Sequence, residues 1–380
     1  MGNQPRLVFF APNTIGGVKT YILNLQFFLT SINYPSTVIF YDNCDTILTN
    51  YNYNDNNLNI SFSKYSSAKS RYAHIKSLIQ PSDILICSDS FEIEAITFNK
   101  CENKTLFILH GDLNHYQSIL KNHYTLFDRI LTVSQGLKEK YSALYANAKF
   151  SVCHPLVHDF NSFIIHNTSD TLNCVYIGRL EYLKGGDDLV QTILYFSKKE
   201  LLINWTLFIT TEGSDSNLIS KLPPDSNVFY DKPNEDILNE LLKNEILLFP
   251  SRSEGFGIAV LEAMKRGLVP IVRDIEIGIP DMVKQGESGI VISNYGEIIE
   301  NVEDLYFNRK KLKELQKRAY EYSNSRFKFN NLGTNFIDKT RKDKYKIKNY
   351  SKIKLSLIEL IIPEFLLRIG RKIKYILINN

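Results

Sequence analysis

The sequence holds little that would suit a secreted, membrane-spanning or metal-binding protein. Its 380 residues contain 5 scattered cysteines with no CxxC spacing, which argues against a disulfide framework or a zinc-finger pattern. We expect reduced thiols, several in buried strands, in a cytoplasmic protein. No apolar run is long enough to cross a bilayer, and the one near the N-terminus is too short for a signal peptide. No Asp-x-Asp pair occurs, so we predict neither a metal site nor a cofactor.

The composition is that of a folded protein with an uneven charge. Hydrophobic residues make up 44% of the chain and charged residues 23%, and the length suits two domains. The formal net charge is +4. From Lys339 to the end there are twelve Lys and Arg against three acidic residues, a charge of +9, which leaves −5 for the rest. The positive charge is therefore concentrated in the C-terminal tail.

Hydrophobic patterning predicts two α/β domains. Short β-branched and aromatic runs alternate with amphipathic helical stretches, and a second such series starts near Leu172. Two βα series in succession imply two Rossmann-like, doubly wound parallel-sheet domains that face a central cleft. We place the first domain at residues 1–155 and the second at 156–323. Residues 324–380 are expected to form helices that partly return to the first domain, followed by the basic tail.

Two finer predictions accompany this division. The polar stretch YNYNDNNLN, residues 51–59, is typical of a loop. The helical pattern from about residue 296 to 323 indicates one long helix.

A strand–loop–helix pattern over residues 246–264 is the strongest candidate site. Gly255, Phe256 and Gly257 allow close backbone approach to a ligand, and a helix beginning near Gly257 or Ile258 favours a phosphate at its N-terminus. Glu254 precedes this helix, and Glu262 lies more than one turn inside it. One ligand could meet a carboxylate at its sugar end, main-chain N–H groups at its phosphates and a carboxylate at its nucleoside end.

A second strand–loop–helix pattern, YIGRLEYLKGG, carries two cations. Arg179 follows a strand end and Lys184 lies five residues later, just before Gly185. Two cations at the carboxyl end of a strand can neutralise a diphosphate without a divalent metal. Alternatively, they are surface cations beside the acidic residues Glu181, Asp187 and Asp188.

The first domain offers weaker candidates at two strand ends. Gly16 and Gly17 follow the first strand but lack the full GxGxxG pattern of a dinucleotide site. They either let the loop curl over a ligand or make a tight turn. His110 ends the strand FILH, where it could contact a sugar hydroxyl, stabilise developing charge or make a structural hydrogen bond.

Together these motifs resemble the retaining GT-B glycosyltransferases of family 4, also called group 1. The resemblance runs from Arg6 to about Phe329 and is densest over residues 174–292. It implies an N-terminal acceptor domain and a C-terminal domain that binds a UDP- or GDP-linked sugar. One departure is the sequence PLVHD at residues 155–159, where the family often has Pro-Asn-Gly-Val-Asp. We assign that segment no catalytic role.

The resemblance also implies a role for each candidate residue. Arg179 and Lys184 would hold the diphosphate, Glu254 the donor sugar and Glu262 the ribose. The remaining positions would follow the same pattern: the main chain from Gly255 to Ile258 at sugar and phosphate, Gly16 and Gly17 in a loop near the phosphates, and His110 beside the sugar. Residues 210–219 occupy the place of a family loop with a hydrophobic–Gly–acid–Gly pattern.

These expectations converge on one function, with alternatives. The leading prediction is a retaining, metal-independent hexosyltransferase that acts on a saccharide or lipid-linked saccharide in surface polysaccharide synthesis, such as O-antigen, capsule or lipopolysaccharide. The alternatives are a nucleotide-sugar epimerase of the same fold and a non-catalytic partner subunit. The basic tail either lies on the anionic inner face of the plasma membrane or packs back on the first domain. No motif supports nucleic-acid binding.

Overall fold

The chain folds into two compact units. The computed structural model describes residues 4–13, 16–42, 57–62, 66–160, 163, 170–342, 348 and 350. The first unit comprises the described residues up to Val133, Lys138–Cys153 and those from Gly333 onward. The second comprises Ser134–Leu137 and His154–Leu332. Apart from the short segment Ser134–Leu137, the chain thus leaves the first unit after Cys153 and rejoins it at Gly333. The assignment of acceptor binding to one unit and donor binding to the other stays a prediction.

The first unit is built on a parallel sheet, as its hydrophobic runs predict. Its strands, in the described residues, are β1 Leu7–Pro12, β2 Ser36–Asp42, β3 Asn57–Ser61, β4 Ile84–Cys87, β5 Lys104–Leu109, β6 Arg129–Thr132 and β7 Phe150–Val152. They pair in the order β3-β2-β1-β4-β5-β6-β7. The helices are α1 Gly17–Ser31, α2 Ala68–Ser77, α3 Ser90–Phe98, α4 Asn114–His123 and α5 Gln135–Leu144. Because the strand order reverses beside β1, the loops after β1 and β4 lie at a topological switch point.

The loop predicted at residues 51–59 is wrong for its last three positions. Residues 57–59 belong to β3, which pairs in parallel with β2 at the edge of the sheet. Leu58 and Asn59 are exposed, so an edge strand tolerates a polar sequence that a central strand would not. The rest of that stretch, residues 51–56, lies outside the described residues.

The second unit repeats the architecture with fewer strands. Its strands, in the part of the chain described, are β8 Leu172–Gly178, β9 Ile203–Ile209, β10 Asn227–Tyr230, β11 Ile246–Phe249, β12 Val269–Arg273 and β13 Ile290–Ile292. They form a parallel sheet in the order β10-β9-β8-β11-β12-β13. The helices are α6 Gly186–Phe196, α7 Ser216–Ile219, α8 Asn234–Leu241, α9 Ile258–Met264, α10 Ile279–Met282, α11 Tyr295–Phe307 and α12 Arg309–Arg326. The switch point lies between β8 and β11, the two strands that precede the strongest sequence motifs.

The single long helix predicted over residues 296–323 is wrong. The structure has two helices, α11 and α12, separated at Asn308. The Asn308 side chain accepts a hydrogen bond from the N–H of Lys311 and so caps the N-terminus of α12. Asparagine is a favoured N-cap residue, and the amphipathic pattern continues through it because both helices pack on the same core.

The last described helix, α13 Phe329–Arg341, packs on the first unit through its second half. A Cβ at Gly333 would lie 2.4 Å from the Phe28 ring of α1, so only glycine permits this approach. Phe336 stacks on Phe9 of β1 at 5.9 Å between ring centroids. Beyond the helix, Lys348 is buried and donates hydrogen bonds to the Asn103 carbonyl and the Thr105 hydroxyl.

The cysteines that the structure describes are buried and free. Cys87 lies in β4 and Cys174 in β8, Cys101 and Cys153 are also buried, and Cys44 lies outside the described residues. None of the described helices is long and apolar enough to span a membrane.

Candidate active site

A tight turn follows β8 and presents Lys184. This segment, residues 179–185, is called the lysine turn. Tyr182–Lys184 form a 3₁₀ turn that ends at Gly185, whose φ is 69°. A Cβ at Gly185 would lie 2.2 Å from the carbonyl oxygen of Pro250, at the end of β11. Both the left-handed backbone and the close approach therefore require glycine, and they bring the lysine turn against the neighbouring strand end.

A second loop, residues 251–257, connects β11 to α9 and is called the glutamate loop. It ends at Gly257, which has a φ of 94° and serves as N-cap of α9. The Phe256 ring is buried, at 5.5 Å from the His154 ring and 5.9 Å from the Phe327 ring. A Cβ at Gly278 would lie 2.8 Å from Phe256 Cα. The buried ring and the close glycine fix the course of the loop, whose predicted helix start is confirmed at Ile258.

The two loops join through an ion pair between candidate residues. Lys184 Nζ lies 2.7 Å from Glu254 Oε1, and the two side chains are only 23% and 10% exposed. The ammonium also lies 3.4 Å from the Ser253 carbonyl oxygen. This mostly buried pair is less screened by solvent than a surface salt bridge, although desolvation offsets part of its attraction, and both charges lie next to the carboxyl edge of the sheet. The structure therefore brings together a cation and a carboxylate that lie 70 residues apart in sequence.

Arg179, the other predicted cation, is more exposed and has a different partner. Its guanidinium lies 2.8 Å from Glu181 Oε1, and the side chain is 45% exposed. A Cβ at Gly213 would lie 3.0 Å from Arg179 Nη1, so the loop of residues 210–215 approaches this guanidinium closely. That loop is anchored to the lysine turn by the Leu180 N–H, which donates to Ser214 Oγ at 2.8 Å.

Glu262 is buried one turn inside α9, in surroundings unlike those of Glu254. It accepts a hydrogen bond from Asn234 Nδ2 at 3.2 Å. Burial raises the pKa of Glu262 from 4.5 to about 7, although Asn234 and Arg266 favour the charged form. The charged form of this poorly solvated carboxyl group is costly, because it has lost hydrogen bonds from water.

The first unit contains the remaining candidates. Gly16 and Gly17 are the N-cap and first residue of α1, and a Cβ at Gly16 would meet nothing within 4 Å. His110 follows β5, and its Nε2 lies 3.2 Å from Ser88 Oγ. Its ring packs edge-on against Tyr21 of α1 at 5.4 Å. Burial lowers the pKa of His110 to about 3, so the imidazole is neutral at physiological pH.

The family model for glycosyl transferases group 1 matches residues 159–322, which include the lysine turn, the glutamate loop and Glu262. These residues form a group 1 glycosyltransferase domain. The match lies within the second unit, where the sequence motifs are densest.

Curated relatives that match part of the chain agree with this domain. The chain is 22% identical over 174 residues to an uncharacterized 41.2 kDa protein in the cps region of Klebsiella pneumoniae, covering 44% of this chain and 46% of the relative. It is 24% identical over 245 residues to an uncharacterized glycosyltransferase of Methanocaldococcus jannaschii, covering 61% and 66%. The chain therefore spans about half to two thirds of these curated relatives.

Solved structures show the fold. The pneumococcal O-GlcNAc transferase GtfA, crystallised with UDP and GlcNAc, superposes with a TM-score of 0.71 at 12% identity. The superposition covers 89% of this chain and 99% of GtfA. The predicted GT-B fold class, with two parallel-sheet α/β units, is confirmed.

Sequence reasoning missed several residues that shape the group 1 domain. Asn234 reaches Glu262 from the N-terminus of α8, and nothing in its local pattern indicates this. Lys265 is fully buried and donates to Asp159 and to the carbonyls of Val157 and Phe327. Asp159, within the segment PLVHD, thus has a structural partner.

A charge network lies beside the lysine turn. Arg252 and Arg273 both contact Asp188, an acidic residue that the sequence suggested only as part of a surface patch. In the described parts of the chain, no group of three or more His, Cys, Asp or Glu is arranged to hold a metal ion.

Proposed function

We propose that this protein is a glycosyltransferase that transfers a hexose-type sugar from a nucleoside-diphosphate sugar to a saccharide or lipid-linked saccharide. The observation that carries the proposal is the Lys184–Glu254 pair, at 2.7 Å, at the ends of β8 and β11 within a group 1 domain. Ligands of open α/β sheets bind at this position, beyond the carboxyl ends of strands at the switch point.

Each candidate residue of the group 1 domain has a distinct role in the proposal. Lys184 and Arg179 bind the diphosphate, because their ammonium and guanidinium groups neutralise the negative charge that develops on the leaving phosphate. Glu254 binds the donor sugar, and its pairing with Lys184 fixes the position of both groups. Glu262 accepts hydrogen bonds from the ribose hydroxyls. The main chain from Gly255 to Ile258 lies close to sugar and phosphate because glycine keeps this loop narrow.

Transfer with retention of configuration is part of the proposal. The bond between the anomeric carbon and the phosphate oxygen breaks, and the acceptor oxygen attacks on the face that the phosphate leaves. The departing phosphate takes the acceptor's proton, so no protein nucleophile is needed. Anomeric NMR analysis of the product checks this, because inversion would give the opposite anomer, which has a different C1–H1 coupling constant.

The biological setting is proposed to be surface polysaccharide synthesis at the cytoplasmic side of the plasma membrane. The relative named from the cps region of Klebsiella pneumoniae supports it. The positive tail supports a contact with anionic lipid, close to a lipid-linked acceptor.

A ligand screen tests the activity directly. UDP-, GDP- and ADP-linked hexoses are tested for thermal stabilisation of the full chain, and the stabilising donor is then incubated with candidate acceptors. We expect one nucleotide class to raise the melting temperature and to yield a glycosylated acceptor, at a rate that EDTA leaves unchanged. GtfA, which was crystallised with UDP, makes the UDP sugars the first choice. Binding without transfer to any acceptor would favour the non-catalytic alternative, and interconversion of the donor sugar would favour the epimerase.

A further inference from the structure

We propose that Arg252 is a positioning residue that holds the lysine turn against the glutamate loop, so that Lys184 and Glu254 meet the donor as a preformed pair. This inference rests on the proposed function, because it concerns the same site. Arg252 lies in the glutamate loop, two residues before Glu254, and its partners lie in the lysine turn and at the start of α6.

The Arg252 guanidinium makes contacts on both of these elements. Nη1 donates to the Tyr182 carbonyl oxygen at 2.6 Å and to Asp187 Oδ1 at 2.6 Å. Nη2 donates to Asp187 Oδ2 at 3.0 Å and to Asp188 Oδ2 at 2.7 Å. The guanidinium carbon also lies 4.1 Å from the centroid of the Tyr182 ring. A planar guanidinium group is suited to this combination of ring stacking and bidentate pairing, whereas the ammonium group of a lysine is not.

Main-chain hydrogen bonds extend the same connection to the residue before Lys184. The Arg252 N–H donates to the Leu183 carbonyl oxygen at 2.9 Å, and Ser251 Oγ lies 3.3 Å from that oxygen. Arg252 therefore bonds the carbonyls of Tyr182 and Leu183, the two residues that precede Lys184. Its position determines where the Lys184 side chain starts.

Asp188 links this contact to a third strand end. Its side chain is 9% exposed and contacts both Arg252 and Arg273 of β12. Arg273 in turn donates to the carbonyl oxygens of Pro250 at 3.2 Å and Ser293 at 3.3 Å. The network therefore joins the ends of β8, β11 and β12, and the poorly exposed Asp188 pairs with both guanidinium groups.

The geometry favours positioning over direct contact with the donor. The Arg252 side chain is 20% exposed, and both terminal nitrogens already donate to carboxylates. By contrast, Arg179 is 45% exposed and pairs with one carboxylate oxygen of Glu181. Arg252 thus acts through Lys184 and Glu254, and misplacement of these groups by about 1 Å is enough to cost on the order of 100-fold in rate.

The test combines hydrogen exchange with a double-mutant cycle in the full chain. The variants are Arg252→Ala, Arg252→Lys and Lys184→Ala, with Lys243→Ala as matched control. Lys243 forms an exposed ion pair with Glu240 in the same unit, so its loss removes a charge without touching the site. In ligand-free protein we expect amide exchange over residues 180–186 to be faster than in wild type for Arg252→Ala, intermediate for Arg252→Lys and unchanged for the control.

The cycle measures affinity for UDP, GDP or ADP, whichever stabilises the wild type, together with kcat and KM. We expect Arg252→Ala to weaken nucleotide affinity and kcat/KM by about 10- to 100-fold, and Arg252→Lys to recover part of that loss. In the Lys184→Ala background, Arg252→Ala should add little, because the residue through which it acts is already gone.

Three outcomes would overturn the inference. Unchanged exchange over residues 180–186 would show that Arg252 does not hold the turn. Equal losses in both backgrounds would show that it does not act through Lys184. Wild-type exchange and affinity in Arg252→Lys would show that the bidentate contact is not what matters. If no nucleoside diphosphate binds the wild type, the proposed function fails, and the exchange result alone decides whether Arg252 holds the turn.

Discussion

At the residue scale, Glu254 lies in the loop before α9 and Glu262 lies inside this helix, and the two carboxyl groups have different surroundings. Glu254 has a cationic partner at 2.7 Å, whereas the carboxyl group of Glu262 accepts a hydrogen bond from the neutral amide of Asn234. The sequence indicated both carboxylates and both cations, since they lie in local strand–loop–helix patterns. It could not indicate that Lys184 pairs with Glu254 or that Asn234 reaches Glu262, because those contacts depend on how the strands are ordered in the sheet.

The first residue-scale prediction concerns the cations. We expect Lys184→Ala and Arg179→Ala each to lower turnover by at least about 100-fold with the fold retained, because the leaving phosphate loses a charged partner. Steady-state kinetics and circular dichroism check this. Lys243→Ala is the control, and near-normal transfer by either variant would remove that residue from the diphosphate site.

The second residue-scale prediction concerns how the stability of the protein depends on pH. Because the folded-state pKa of Glu262 is about 7 against 4.5 for the free side chain, the folded protein holds more protons than the unfolded one between these pH values. This carboxyl therefore lowers stability as pH rises through that window, by on the order of 3 kcal/mol when fully ionised. We expect Glu262→Gln to gain melting temperature relative to wild type from pH 4.5 to 8.

The comparison with wild type isolates this group. Burial also raises the pKa of Glu92, to about 8, but Glu92 is present in both proteins and cancels. The exposed Glu235→Gln is the matched charge control. Parallel melting curves for Glu262→Gln and wild type across the window would mean that Glu262 titrates normally.

At the element scale, the site consists of loops whose geometry depends on glycine. Short hydrophobic runs predicted β1, β2, β4, β5 and β6 of the first unit and β8 to β12 of the second, but not the three-residue strands β7 and β13. The sequence did not predict the edge strand β3, because its partly exposed sequence is mostly polar and contains no hydrophobic run. It did not predict the break at Asn308 either, because a single capping side chain leaves the helical hydrophobic period unchanged.

Glycine provides the prediction at this scale. We expect Gly185→Ala to displace the lysine turn, since its Cβ would lie 2.2 Å from Pro250 O, and to lower both stability and nucleotide affinity. Gly286→Ala is the control that separates the steric effect of this contact from the effect of backbone strain. Gly286 has a similar φ of 72°, but a Cβ added there would have nothing within 4 Å. We expect the control to lose about 1 kcal/mol of stability only. Equal effects of the two substitutions on nucleotide affinity would contradict the steric explanation.

At the scale of the whole molecule, charge is divided between the C-terminal tail and the rest of the chain. The tail from Lys339 carries +9 and the remainder −5. Lys348 is one tail cation that is buried, with lowered pKa because of desolvation, and it fixes its part of the tail to the first unit. Composition alone indicated the charge of the tail but not which of its lysines is buried.

The tail provides a last prediction. Replacement of Arg371, Lys372 and Lys374 by Glu lowers the tail charge by six, and we expect it to reduce sedimentation with vesicles of anionic lipid but not with neutral vesicles. Each basic residue near such a surface contributes about 1 kcal/mol. Equal pelleting of variant and wild type on anionic vesicles would reject a membrane contact through these residues.

The return of the chain to its first unit at Gly333 affects biosynthesis. The second unit is complete once Leu332 has left the ribosome, whereas the first unit still lacks the helix that covers Phe9 and Phe28. Domains commonly mature in the order in which they are translated. Here the later-encoded unit can finish first, and the first unit keeps those two aromatic rings uncovered until α13 has been translated, a period in which a chaperone would be of use.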